Sequence, residues 1–559
     1  MIYDYVIAGG GSAGCALAAR LAENPNITVC LVEAGGNGRN LFIKMPAGNG
    51  FVFGNPKLDW GYSSEPQTQL NNKSIYFARG KALGGSSIVN GMIYMRGVSN
   101  DYDQWRQMGL PGWSYNELLP YFKRAQGAND RKDPYHGNKG PLKTEKSVNF
   151  GVIEKAFIDA AVSAGHKRLH DFNGLHRTGV GRTDSTVNRG VRQSSAIAYL
   201  KKPKKNLKIM THRHISRIVF EHCHAIGIET TNGEIIRAKQ EVIVCQGAFG
   251  TPHLLMLSGI GPAEHLMQHG IKPVVDLPGV GENLADHLDV SIQYGSNHTN
   301  LSHARLQRLD KAIGLLGRWL IDGSGPGGGA MFSTALFHAF ENPMLPELEV
   351  FMTPMIVDEN IAVSRKEETP FLQKLGRKLL VRGNKIARPG IQVDINHERP
   401  KSLGTIKLAS ADPLHHPLID PNYLSDRRDL DELVAGVKMM ADVMSQKEIS
   451  KYHTGPIAAW SNVKTDEEII TAIRQTAYTG HHPACTAKMG VENDNSAVLD
   501  AELRVRGVDG LRVCDASAMP AQITGNLYAT VIMIAEKAAD MILGKKPLTP
   551  EDPMEISND

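Results

Sequence analysis

Apolar positions open the chain as an unbroken run at 5–8, and the period then changes abruptly. The run ends at Gly9-Gly10-Gly11-Ser12-Ala13-Gly14, after which small apolar residues recur at helical spacing through 13–21. A second apolar run, 28–32, stops at Glu33. Buried parallel strands read as continuous apolar runs and their covering helices as a 3.6-residue period, so a strand–helix–strand unit is predicted. Helical spacing returns at 115–125, 151–164 and 529–543, and strand-like runs at 207–210, 215–220, 225–230 and 241–245. From about 290 to 470 the pattern shifts to alternating runs such as 347–352 and 390–396, interrupted by the glycine-rich stretch 323–329. A last buried strand, 511–515, ends in an acid before the final helix. The tail beyond Gly544, rich in Pro, Asp and Glu, is read as flexible.

Composition narrows the picture without deciding it. At 559 residues the chain exceeds one ordinary core, so two domains are expected. The 62 basic and 58 acidic residues nearly balance, which argues against a nucleic-acid partner. A strand starting at Tyr3 leaves no room for a signal peptide, and no apolar run reaches membrane-spanning length, so a cytoplasmic protein is expected. The six cysteines lack metal-ligand spacing and are read as mostly buried, reduced thiols; no metal site is expected. One basic amphipathic stretch, 371–388, has the character of a helix that can rest on the inner face of an anionic membrane.

Candidate chemistry starts at the first turn. Gly9 permits the tight bend, Gly11 lets backbone approach a pyrophosphate, and Gly14 allows close packing of helix on strand. Ser12 and Ala13 open the helix whose N-terminus attracts phosphate, while Glu33, followed by Ala34, stands where a carboxylate accepts ribose hydroxyls. This finger predicts a dinucleotide site but does not choose between NAD and FAD. A second glycine block, Arg79-Gly80-Lys81-Ala82-Leu83-Gly84-Gly85-Ser86-Ser87, exposes backbone N–H groups suited to phosphate or a flavin edge.

Four blocks in this order resemble the glucose-methanol-choline (GMC) flavoprotein oxidoreductases over nearly the whole chain. They are the finger, 80–91, 247–261, and a C-terminal pair at 480–490 and 515–536. The flavour is closest to bacterial alcohol and choline dehydrogenase-like members. The resemblance, not the finger, selects FAD. It implies an α/β (α+β overall) architecture. A Rossmann-like FAD-binding domain would come from 1–150, 190–290 and 475–545. A substrate domain built on an antiparallel sheet with covering helices would come from 151–189 and 291–474, with 546–559 as the tail. Cofactor contacts are expected from the finger residues and from Arg79, Gly80, Leu83, Gly84, Gly85, Ser86, Asn90, Gly91, Met92 and Ile93. Ile215, Gly247, Asp515, Ala516 and Asn526 complete the set, with Asp515 on ribityl hydroxyls. Phe77 occupies the position where some members carry a flavin-linking histidine, so unlinked FAD is expected.

The same resemblance points to His482, opening His482-Pro483-Ala484-Cys485-Thr486, as the group that takes a proton from a primary alcohol or holds its alkoxide. His481 is expected to point elsewhere on an extended segment. In Gly525-Asn526-Leu527-Tyr528, register sets Tyr528 where members place a second catalytic Asn or His. Tyr528 then donates a hydrogen bond beside His482, or only shapes the pocket, or marks altered chemistry. The electron acceptor implied is a quinone, with oxygen as alternative; lyase and decarboxylase reactions are also known on this fold. Phe332, Phe337, Phe351 and Met352 are candidate pocket residues, and the oligomeric state is left open.

Overall fold

In the structure, a computed structural model, the chain is described at residues 1–128, 131, 134–202, 204–298, 300–303, 306, 309–357 and 387–553. The apolar run before Gly9 becomes the strand Ile2–Ala8, with Val6, Ile7 and Ala8 fully buried. It pairs in parallel with Val29–Val32 on one side and Ile235–Val244 on the other. Leu207–Met210 extends the sheet beyond Val29–Val32. On the far edge, the hairpin Ile215–Glu221/His224–Thr230 pairs with the first half of Ile235–Val244, and Leu511–Val513 with its last residues. The strand expected at 241–245 therefore starts six residues earlier. Its first half is largely solvated, and Arg237, Lys239 and Gln240 mask it in a search for apolar runs. Ser12–Leu21 packs on this sheet beside Tyr528–Ile542, which is buried almost throughout. Helix Tyr115–Ala125 lies against the same helix, where Arg20 and Arg124 both grip the buried Glu536 carboxylate at 2.8 and 2.7 Å.

A second sheet runs in the order Tyr478–Thr479, Leu288–Gly295, Gly390–His397, Leu348–Thr353, Thr334–His338, Gly179–Arg182, Arg168–Leu169. All its pairs are antiparallel except the last. The 19-residue helix Arg427–Ser445 covers it, as the expectation of covering helices has it, although this stretch was not singled out from the sequence. Residues 358–386, which contain most of the basic stretch, lie outside the described residues. Among those described, no helix is long and apolar enough to cross a membrane. The tail corrects its expectation as far as residue 553: Leu548 N–H donates to Tyr121 Oη at 3.2 Å, and Glu551 N–H to the Asn116 carbonyl at 2.9 Å. Apolar Leu548 packs against the core, which a reading of the tail's polar composition overlooks.

The turns after Ala8, Val32, Val244 and Val513 open at one edge of the first sheet, where parallel α/β sheets bind ligands. Leu288 and Leu348 both pair with His397 in the second sheet, so Asp286-His287, Glu349 and Glu398 gather at one end of it. The candidate site lies where these two edges meet.

Candidate active site

Backbone crowding builds the cradle. A Cβ on Gly14 would sit 2.0 Å from the Gly9 carbonyl oxygen, and one on Gly9 (φ +110°) 2.5 Å from that of Cys245. Only glycine lets Ser12 and Ala13 begin a helix against the strand. The second glycine block seats on the first: a Cβ on Gly85 (φ +51°) would lie 2.6 Å from Gly11 Cα, and Gly84 N–H donates to the Gly10 carbonyl at 2.8 Å. Glu33 accepts from Gly10 N–H at 3.0 Å and Gly35 N–H at 2.7 Å, leaving lone pairs for a ribose hydroxyl. Burial raises its pKa, opposed by those N–H groups. Ala34 follows it, and Arg213 N–H, two residues before Ile215, donates to the Glu33 carbonyl. Gly247 (φ +75°) faces open space where a side chain would stand. Cradle, acid and open space fit FAD, which when bound supplies the hydride acceptor.

The rest of the second block is held from behind. Arg192, fully buried, donates to the Asn90 carbonyl and Oδ1 at 2.9 and 2.6 Å, to the Ile43 carbonyl and to Asn49 Oδ1. Burial pulls its pKa down to about 9. Sequence reasoning missed this residue; its signal is an arginine with no acidic neighbour in Gly190-Val191-Arg192-Gln193. Gly80 is packed on the Gly85 carbonyl, Leu83 lies over Gly10, and Gly91 against the Phe332 ring. Met92 adopts a left-handed φ of +63° next to the short strand Ile93–Tyr94. Ser86 falls in the 3₁₀ turn Gly85–Ile88. Phe337, Phe351 and Met352 are buried core residues, so of the four pocket candidates only Phe332 adjoins the cradle.

His482 is fixed from four directions. Its backbone N–H donates to Asp286 Oδ1 at 2.7 Å, and its carbonyl accepts from Gln522 Nε2 at 2.8 Å. Its Nε2 meets Asn526 Nδ2 at 3.0 Å, and its Nδ1 meets His287 Nδ1 at 3.0 Å. With Asn526 donating, Nε2 carries the lone pair and Nδ1 the hydrogen. Burial, then the charge of Arg79 and the neighbouring His481, lower its pKa to about 3. Asp286 also accepts from Thr479 Oγ1 at 2.6 Å and from Tyr423 Oη, and burial pushes its pKa up to about 6. Arg79 donates to the His481 carbonyl at 2.6 Å, and Cys485 N–H to that of Ala516 at 3.1 Å, which lays the histidine segment along the first sheet's edge. Neither Asp286 nor His287 was singled out from sequence, although two adjacent titratable residues directly before a buried strand are a visible signal.

Three expectations need correction. Tyr528 does not stand beside His482; its hydroxyl donates to the Gln193 carbonyl at 3.0 Å, and Asn526 holds the partner position instead. Asp515 is not free for ribityl hydroxyls. It accepts from Gly247 N–H, Thr251 Oγ1, Ser517 N–H and Ser517 Oγ, which fills both oxygens and makes it a cap for two helix starts. His481 does turn away, but through a left-handed φ of +64° rather than strand alternation, and its ring meets Phe53 edge-on at 5.8 Å.

Comparison with known proteins adds identity to this geometry. The GMC oxidoreductase pattern matches residues 3–289 with its N-terminal part and 400–535 with its C-terminal part. The oxygen-dependent choline dehydrogenase of Vibrio vulnificus (strain YJ016) is 37% identical over 560 residues, covering 98% of this chain and 96% of its own. That of Yersinia pseudotuberculosis serotype IB (strain PB1/+) is 38% identical, covering 98% and 95%. Among solved structures, pyridoxine 4-oxidase from Mesorbium loti superposes with a TM-score of 0.83 at 28% identity, covering 97% of this chain and all of its own. An Aspergillus oryzae RIB40 formate oxidase variant, studied for FAD modification, gives a TM-score of 0.85 at 27% identity, covering 97% and 98%.

Proposed function

We propose, from the premise that this chain belongs to the GMC oxidoreductase family, that it oxidises a primary, uncharged alcohol to the aldehyde, with His482 as base. The observation that carries this reading is the Asn526–His482–His287 row, in which Asn526 Nδ2 lies 3.0 Å from His482 Nε2 and His287 Nδ1 3.0 Å from His482 Nδ1. FAD, held by the cradle of Gly9, Gly11, Gly14 and Gly85 with Glu33 at its ribose, would supply the hydride-accepting chemistry. His482 Nε2 takes the hydroxyl proton, and Asn526 steadies the developing alkoxide with its amide N–H. Holding the base and donor in place before substrate arrives removes reorganisation from the barrier. Asp286, through the His482 backbone, sets where the ring stands.

The FAD is proposed to be unlinked, because the fully buried Phe77 offers only ring carbon, 5.1 Å from Phe249, where a linking histidine would be needed. The proposed electron acceptor is a quinone; the relatives' names make oxygen the alternative. A cytoplasmic setting is proposed from the free thiols, of which all but Cys223 are buried.

The experiment is anaerobic mixing of the FAD-loaded protein with alcohols, choline, aldehydes and carboxylates. Bleaching of the flavin by alcohols supports the reading; a lyase or decarboxylase turns over without it, which would overturn it. Reoxidation by a quinone analogue or by oxygen then identifies the acceptor. Acid precipitation leaving yellow supernatant supports unlinked FAD.

A further inference from the structure

The ring nitrogen of His482 opposite Asn526 leads into a row of buried titratable groups that base catalysis alone leaves unused. His287 Nδ1, 3.0 Å from His482 Nδ1, is also 3.5 Å from Glu398 Oε1. Glu398 and Glu349 are both buried; Glu349 lies in Leu348–Thr353, and Glu398 directly follows the neighbouring strand Gly390–His397. Glu349 Oε1, Glu349 Oε2 and Glu398 Oε1 have no donor, and Arg177 Nη1 beside them has no acceptor. Two ionised carboxyls cannot hydrogen-bond each other, but a carboxylic acid O–H can donate to a carboxylate. A single proton shared between Glu349 and Glu398 would bridge two of the three orphaned oxygens. Burial raises both groups, Glu349 to about 8. The other titratable groups facing the pair are Arg177 and Asp101, the latter paired with Arg399 at 2.7 Å; His397, bonded to Glu432 at 2.6 Å, faces His287. Gly525 N–H donates to Glu398 Oε2, tying the pair to the loop that carries Asn526.

We propose that the Glu349–Glu398 pair, reached through His287, receives the proton that His482 draws from substrate. The proposal rests on the alcohol-oxidising reading above. As the substrate O–H bond breaks, its proton binds Nε2 of His482. The Nδ1–H bond of His482 then breaks, and that proton passes to Nδ1 of His287 and on to Glu398 Oε1. Only protons move. The pair goes from one proton and a single negative charge to two protons and none, while His287 returns to its starting form. His482 ends neutral with its hydrogen on Nε2. His287, Glu349 and Glu398 are thus proton-holding residues behind the catalytic one.

The test follows flavin absorbance and a pH indicator together when the anaerobic, FAD-loaded enzyme meets alcohol. In the native enzyme the flavin bleaches and no proton reaches solution; in the Glu349→Gln/Glu398→Gln variant a full proton per flavin appears in step with bleaching. Infrared spectra of the resting protein give a second readout, independent of turnover. A carboxylic-acid carbonyl band persists at neutral pH in the native chain and is missing from the double variant. Proton release in step with bleaching by the native enzyme, or absence of that band, overturns the relay. If no alcohol bleaches the flavin, the alcohol-oxidising reading fails instead, and the infrared band alone decides whether the pair shares a proton.

Discussion

Asn526 and Tyr528 stand two residues apart at the start of the helix Tyr528–Ile542, and of the two it is Asn526 that reaches the His482 ring. The backbone at Leu527 is already helical, so the two side chains project roughly 200° apart around the axis. One faces His482; the other faces Gln193, 335 positions earlier. A sequence shows the spacing but not the helix phase, and a segment with two polar candidates leaves the partner ambiguous. Asn526→Ala should slow flavin reduction by about 100-fold, the scale for losing one preorganised donor. Tyr528→Phe should leave that rate within a few-fold and lower unfolding stability by about 1 kcal/mol, the usual worth of a buried hydrogen bond. Stopped-flow reduction and chemical denaturation read the two effects separately. The reverse pattern would return Tyr528 to the partner position.

At the scale of elements, what could be read were those whose partners lie close in sequence. The first strand, turn and helix are set by Val6 to Ala8, Gly9 and Gly14, and helix 115–125 appears where its spacing places it. Arg427–Ser445 was equally available: Leu430, Leu433, Val434, Val437 and Met440 recur every three or four positions. Covering helices were expected over that sheet, but this stretch was not picked out as one of them. Not available was the seating of one loop on another 74 positions away, because Gly85 meets Gly11 through backbone alone. The contact predicts a specific failure. A methyl on Gly85 meets Gly11 Cα at 2.6 Å with φ at +51°, and no rotamer can relieve a backbone clash. Gly85→Ala should therefore retain its far-ultraviolet circular dichroism but lose most of its bound flavin, measured as visible absorbance per protein. Gly50→Ala, with nothing within 4 Å of its Cβ, should keep its flavin.

Across the whole molecule the site is assembled from segments near 10, 85, 286, 349, 398, 482 and 526, and burying so many titratable groups together makes its stability depend on pH in opposing ways. Glu349 is raised by burial to about 8, so between the ordinary carboxyl range and that value the folded chain holds a proton that the unfolded chain has released. Its contribution is present at low pH and is lost as pH rises. His481 is lowered to about 3 by burial and Arg79, so below about pH 6.5 the unfolded chain binds a proton that the folded chain excludes. Its contribution is present above that point and is lost as pH falls. Glutamine at either position does not titrate, so the difference from the native chain reports His481 in one case and the Glu349–Glu398 pair in the other. Glu349→Gln should gain on the native chain as pH rises from about 4.5 to 8, and His481→Gln as pH falls from about 6.5, each by at most about 1.4 kcal/mol per pH unit. Denaturant unfolding at a series of pH values gives both slopes. A slope of zero for either variant's difference would mean that the group titrates as it does in water, and that the packing around it is looser than the fold implies.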